Sequence, residues 1–227
     1  MNPDYPLYRT PTGLWRSPLL DREEWADHAF GSALARPEGE WLELKQVHSA
    51  RVAGCGEWRE GLRADGLVTA APRVRLAIKT ADCLPILLAD PRTRVVAAVH
   101  AGWRGSTAGI AIRGVEAMAR LHGSRPEEIR AAFGPSIGAC CFEVGPEVAT
   151  QFSDWFPERN DLDRRTRIDL PEANRRQLIG AGLRLERIAC QAPCTVCGGA
   201  LPGGGEFHSW RREHRTGVRM HSLIWIR

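Results

Sequence analysis

Three side chains far apart in this 227-residue sequence have the donor types that a borderline-soft metal site uses. They are His48 in Lys45-Gln-Val-His-Ser49, Cys83 in Thr80-Ala-Asp-Cys-Leu-Pro85, and His100 in Val99-His-Ala-Gly-Trp-Arg-Gly105. Two imidazoles and a thiolate suit zinc, with copper the other candidate. Three protein ligands leave a fourth position open to water or substrate, as in a catalytic centre. The separations match no short zinc-finger pattern, and on the residues alone a buried thiol beside two hydrogen-bonded histidines is the plainer reading. Asp82, next to Cys83, has the chemistry to orient a ligating imidazole or to act as a base; it also suits a turn before Leu84-Pro85.

Further candidates lie in glycine-rich loops. His100-Ala-Gly-Trp-Arg-Gly105 precedes an expected helix, so backbone amides there can meet an anion such as phosphate, with Arg104 adding charge; a simple tight turn is the plainer reading. Gly134-Pro-Ser-Ile-Gly138 leads into Cys140, Cys141 and Glu143. Adjacent cysteines more often pack as small apolar groups than share one tetrahedral ion. Cys190, Cys194 and Cys197 contain a C-x-x-C half-site, but its fourth ligand is missing unless His208 supplies it, so this motif reads as incidental. Arg211, Arg212, Arg215 and Arg219 cluster near the C-terminus. Interleaved with Glu213 and followed by a strand-like segment, they suit one anionic group on a small substrate better than a nucleic-acid track.

The elements that must position these groups are only partly legible. Alternation over residues 41–52 predicts a strand with Leu42, Leu44, Gln46 and His48 on one face. The apolar runs 84–89 and 95–100, joined through Asp90-Pro91, predict a hairpin whose register pairs either Cys83 or Leu84 with His100. Residues 106–122 have helical spacing, with Ser106 or Thr107 as N-cap and Gly123 just past the end. A capping box at Ser124 and Glu127 opens a short turn, 129–133 reads as a strand, and 145–156 and 171–183 read as helices. A hairpin among alternating strands and helices points to a mixed α+β fold rather than a doubly wound parallel sheet.

Composition bounds the class. Apolar residues make up 43% and the chain has 23 glycines, which excludes disorder and collagen-like repetition. With no repeat and no linker, residues 1–227 read as a single domain. Of 31 basic side chains, 29 are arginine and only Lys45 and Lys79 are lysine; the arginines are scattered among acids, as a compositional bias leaves them. Seven cysteines, an odd number, fit a reducing compartment. With neither a leader-like N-terminus nor a long apolar run, a cytoplasmic protein with no membrane or nucleic-acid partner is expected.

Taken together, the motifs Gln46-Val-His48, Ala64-Asp-Gly-Leu-Val-Thr69, Thr80-Ala-Asp-Cys-Leu-Pro85, His100-Ala-Gly-Trp-Arg-Gly105, Gly134-Pro-Ser-Ile-Gly138, Phe142-Glu-Val-Gly145, Ser209-Trp-Arg-Arg212 and Thr216-Gly-Val-Arg219 resemble those of the YfiH or polyphenol-oxidase (laccase-domain) family. The resemblance implies a four-layer α/β sandwich with mixed sheets, and convergence of His48, Cys83 and His100 on a metal, usually zinc. It also implies purine nucleoside phosphorylase activity on adenosine, inosine and S-methyl-5'-thioadenosine with phosphate, together with adenosine deamination, in an expected monomer. Cys83, Asp82 and Arg211 are then the candidate catalytic residues; Gln46, Arg104, Glu143 and Arg212 are the candidate substrate-binding residues. Where the family carries an arginine-containing Ser-Thr-Arg-Gly-Gly-like stretch, this sequence has His28-Ala-Phe-Gly-Ser-Ala-Leu-Ala35. Two alternatives stay open: a hydrolase that removes a wrongly incorporated amino acid from peptidoglycan precursors, and a non-enzymatic metal-binding module. Seven histidines are too few for multicopper oxidation.

Overall fold

The computed structural model describes residues 6–198, 205–214 and 217–227. The extreme N-terminus, Arg215 and Thr216 lie outside them. Among the described residues the chain forms a mixed α+β sandwich. One sheet runs β1 (Tyr8–Arg9), β2 (Trp15–Arg16), β3 (Ala26–Phe30), β13 (Met220–Ile226), β6 (Leu76–Thr80). The other runs β12 (Ile188–Ala189), β9 (Arg130–Phe133), β7 (Leu84–Asp90), β8 (Val95–Ala101), β5 (Gly66–Thr69), β4 (Val52–Gly54), with β12–β9 and β4–β5 parallel and the rest antiparallel. A short ribbon joins β10 (Glu143–Val144) to β11 (Thr166–Arg167). The helices are α1 (Pro18–Asp21), α2 (Trp103–Thr107), α3 (Ile110–His122), α4 (Pro146–Ala149), α5 (Leu170–Gly180) and α6 (Trp210–Glu213). No helix of the described residues is long and apolar enough to cross a membrane.

The continuous apolar runs of β7 and β8 follow from burial on both faces. Leu84, Ile86, Leu88, Val95, Ala97, Val99 and Ala101 pack with α3 and α5 in one core. Leu87, Ala89, Val96 and Ala98 face the other sheet in a second core, with Phe30, Ile78 and Ile224. His100 continues the Val96–Ala98 face, which brings it out at one end of the space between the sheets.

The hairpin forms, but in neither expected register. Leu84 pairs with Ala101, Pro85 with His100, and Asp90 with Val95. The Asp90 carboxylate accepts from the Arg92 amide (2.9 Å) and the Thr93 hydroxyl (2.6 Å), so the turn occupies residues 91–94 and Asp90 joins the ladder. Cys83 therefore falls one step beyond the ladder, beside Gly102.

Other expectations are corrected in detail. Residues 41–52 form no continuous strand; bridges occur at Leu42 and Lys45, and β4 begins at Val52. The helix expected over 106–122 starts earlier and breaks at Gly109, whose φ of +78° is left-handed, so neither Ser106 nor Thr107 caps it; Gly123 does close α3 with φ +68°. The expected capping box at Ser124 is a single turn over Pro126–Glu128 preceded by Arg125. The 145–156 helix reduces to α4 and the turn Thr150–Phe152, whereas α5 starts one residue early because the Asp169 side chain accepts from the Glu172 amide.

Candidate functional site

At the sheet end, the segment after β6, the start of β7, the end of β8 and the 45–49 loop converge at the base of a cleft of about 1430 Å³. The organising group is Asp65, a fully buried carboxylate. Its oxygens accept from the backbone amides of Val47 (3.2 Å), His48 (3.0 Å) and Ser49 (2.7 Å), from the Ser49 hydroxyl (2.6 Å), and lie 2.8 Å from His100 Nδ1. Three successive amides aimed at one charge hold His48 at φ +59°, a left-handed conformation that an L-residue otherwise adopts at a cost of about 1–2 kcal/mol. A loop pulled around a carboxylate cannot continue as the strand that its alternation suggested.

This cradle sets the chemistry of the histidines. With Nδ1–H of His100 directed at Asp65, its Nε2 is left to meet a ligand. The donor atoms of His48, Cys83 and His100 lie within 4.8 Å of one another; the Cys83 sulfur is 3.9 Å from His48 Nε2. A tetrahedral zinc with bonds of about 2.0–2.3 Å needs donors somewhat under 4 Å apart, so a small contraction suffices. Burial pushes the Cys83 thiol up, but His100 and His48 outweigh it and bring it down to about 6. Burial pushes His100 down, yet the Cys83 sulfur and Asp65 raise it to about 9. Burial also opposes ionisation of Asp65, but His100 and Ser49 hold it at about 2.

Gly102 completes the cradle. A Cβ there would lie 2.8 Å from His48 Cδ2 and 2.9 Å from the Cys83 sulfur, closer than real contacts allow. The backbone itself is ordinary (φ −74°), so glycine is required for space rather than conformation.

The remaining candidates divide. Arg104 lines the cleft; its guanidinium lies 4.3 Å from the Trp103 ring and has no hydrogen-bond partner among the described residues. Arg211 also lines it and donates Nη1–H to the Glu143 carbonyl (2.9 Å); the Glu143 carboxylate pairs with Arg165 (3.2 Å). Asp82, at φ +84°, accepts from the Thr195 hydroxyl (2.6 Å) and the Arg211 amide (2.7 Å), so its two oxygens tie the Thr195 loop and α6 to the segment before β7. Gln46 faces the cleft, but its amide is engaged twice by the Lys79 backbone, donating to the carbonyl and accepting from the N–H, both at 2.8 Å. Arg212, expected at the substrate, instead holds the carbonyls of Thr195, Val196 and Phe207 and does not line the cleft.

Sequence reasoning missed Asp65 as a site residue, and it missed Lys45 and Lys79, which both line the cleft. A signal for the lysines existed: in a chain that uses arginine almost everywhere, its two lysines stand at one site. Lys79 pairs with Glu43 at 2.6 Å. The other surprise is sulfur. Cys140 and Cys141 do not simply pack as apolar groups, and the C-x-x-C is not isolated, because the sulfurs of Cys140, Cys141, Cys194 and Cys197 lie within 4.8 Å of one another. Cys190 stays apart against the helical core, and His208 turns to Glu213 instead.

Comparison with known proteins places this geometry in context. Residues 24–227 match the family model described as multi-copper polyphenol oxidoreductase laccase. A purine nucleoside phosphorylase of Deinococcus radiodurans is 41% identical over 205 residues, covering 87% of this chain and 74% of that protein. A protein named adenosine deaminase RL5, from an unknown prokaryotic organism, is 38% identical over 169 residues, covering 67% of this chain and 64% of that one. The crystal structure of YlmD from Geobacillus stearothermophilus superposes with a TM-score of 0.83 at 25% identity, over 99% of this chain and 100% of that chain.

Proposed function

Because the chain belongs to the multi-copper polyphenol oxidoreductase laccase family by its match over residues 24–227, we propose that it is a zinc-dependent purine nucleoside phosphorylase. Its substrates are adenosine, inosine and S-methyl-5'-thioadenosine with phosphate, and it also deaminates adenosine. The observation that carries this reading is the His48, Cys83 and His100 trio set at the base of a cleft with cationic walls. The names of its relatives, phosphorylase and deaminase, supply the substrate class.

The residues fit a zinc ion. The donor set is borderline-soft, Asp65 fixes the ring of His100, and Gly102 leaves the space that a side chain would fill. When bound, zinc supplies Lewis acidity at the base of the cleft. The protein's own groups do the rest. Arg104, whose guanidinium has no hydrogen-bond partner among the described residues, and Arg211 present guanidinium groups to phosphate, and Lys45 adds charge nearby. Trp103, Ile137 and Phe142 offer apolar surface to the nucleoside. In phosphorolysis a phosphate oxygen bonds to C1′ of the ribose as the bond from C1′ to the base breaks, and the base takes up a proton. In deamination water adds at C6 of adenine and ammonia leaves. Asp82 acts as a positioning residue, holding Cys83 against the Thr195 loop and α6.

Among the described residues the metal-competent groups are this trio and an all-cysteine cluster. Multicopper oxidation calls for several histidine-rich copper sites, so the donor inventory favours the purine reading over the oxidation in the family's description. Seven free cysteines fit action in a reducing cytoplasm.

The test is incubation of the zinc-loaded chain with adenosine, with and without phosphate, followed by product separation. Adenine released only with phosphate, plus some inosine in both arms, is expected. No base release in either arm, with cleavage of a muramyl precursor, would replace this reading with peptidoglycan editing.

A further inference from the structure

The loop at 134–145 and the loop at 190–198 meet along a short two-strand contact. Ser136 bridges Cys194 in parallel, the Thr195 amide donates to the Ser136 carbonyl at 2.9 Å, and the Ser136 amide donates to the Pro193 carbonyl at 3.3 Å. This contact places four sulfurs together. The Cys140 and Cys197 sulfurs are 3.4 Å apart, and all four, including Cys141 and Cys194, lie within 4.8 Å of one another.

Local backbone geometry is arranged around one of these sulfurs. The Gly138 amide donates to the Cys194 sulfur at 3.3 Å, and the amides of Val196 and Cys197 also point at it. The Gly198 amide closes the turn on the Cys194 carbonyl at 2.8 Å, and a Cβ at Gly198 would lie 2.6 Å from that same oxygen. A C-x-x-C turned tightly so that amides face its first sulfur is preorganised to hold a cation.

Apolar packing does not account for the cluster. Cys140 and Cys197 are exposed, and Cys141 and Cys194 are only half-buried, whereas cysteines that serve as small apolar groups are among the most buried residues. One disulfide would use two sulfurs and leave two crowded against it. A tetrahedral ion with metal–sulfur bonds of about 2.3 Å sets its sulfurs roughly 3.8 Å apart, between the closest approach seen and the outer limit of the cluster.

We propose that Cys140, Cys141, Cys194 and Cys197 hold a structural zinc ion as a tetrathiolate, independent of the His48, Cys83 and His100 trio. Such an ion clips the loop that carries Glu143 to the loop that carries Thr195. The Thr195 hydroxyl bonds to Asp82, so the clip braces the segment from which Cys83 projects. This assignment does not depend on the reaction catalysed.

Elemental analysis of the purified full chain tests it, together with cobalt substitution. The native protein is expected to carry about two zinc ions per chain, falling to about one in Cys197→Ser and to about one in His48→Ala. In the cobalt-loaded protein, the strong thiolate charge-transfer bands of a tetrathiolate ion should disappear in Cys197→Ser and persist in His48→Ala. Should Cys197→Ser fail to fold, alkylation mapping of the native chain decides. Zinc protects Cys140, Cys141, Cys194 and Cys197 until a chelator is added, while Cys55 and Cys190 respond the same way with or without it. A zinc content unchanged by Cys197→Ser, equal alkylation of all seven cysteines before chelation, or a disulfide linking Cys140 to Cys197 in the native protein would overturn the proposal.

Discussion

The Asp65 carboxylate lies 2.8 Å from Nδ1 of His100 and, through the same two oxygens, accepts the amides on either side of His48 and that of His48 itself. One buried charge thus orients two of the three candidate ligands. Asp65→Asn keeps the shape but loses the charge, and its amide nitrogen cannot accept the loop amides. Zinc affinity, measured by competition with a chromogenic chelator, should fall roughly 10–100-fold. Unchanged affinity would show that the histidines are held by something else.

Gly102→Ala tests the space around the ligands. The backbone tolerates alanine, but the new methyl group meets His48 and Cys83 at under 3 Å. The variant should melt close to the native metal-free protein while binding zinc much more weakly. Native zinc content in the variant would mean that the ligand side chains have room to give.

The arginines separate by role. Arg104→Ala should raise the phosphate KM by roughly 10–100-fold, the equivalent of one charged hydrogen bond of about 1.5–3 kcal/mol, and leave thermal stability unchanged. Arg212→Ala removes the donor that holds the Thr195, Val196 and Phe207 carbonyls, so it should instead lower the melting temperature. If Arg212→Ala altered only the phosphate KM, the separation would be wrong.

His28 makes stability depend on pH. It is 1% exposed, its Nε2 accepts from the Ser17 amide at 2.8 Å, and burial with help from Arg16 lowers it to about 4. Its folded value lies below its unfolded value near 6.5, so the stabilisation is fully present above pH 6.5. It is lost as pH falls toward 4, by up to roughly 3 kcal/mol. Urea midpoints at neutral pH and near pH 4.5 should differ more for the native chain than for His28→Gln. Equal pH dependence in the two proteins would contradict this.

What the sequence disclosed follows from how local each signal is. The β7–β8 hairpin was legible because its apolar runs and Asp-Pro turn are contiguous. Its register was not, since one side-chain capping interaction at Asp90 decides where the turn ends. His48 stood out by residue type, but its conformation depends on Asp65, seventeen residues away in a different element. The lock between Gln46 and Lys79 and the four-cysteine cluster are tertiary in the same sense. Neither the adjacency of Cys140 and Cys141 nor the spacing of Cys194 and Cys197 reveals that a contact across 56 residues will join them. The family motifs carried the ligand trio as an expectation; the cleft's lysines were visible only as a compositional oddity.

The central claim is that the trio at the base of the cleft supports phosphorolysis. The most direct measurement is phosphorus NMR of ribose 1-phosphate formed from adenosine and inorganic phosphate. It would compare the zinc-loaded native chain with Cys83→Ser at equal folded concentration. The account predicts steady accumulation with the native protein and a loss of at least about 100-fold in the variant. Equal accumulation in both, or none with the native protein at full zinc occupancy, would contradict it.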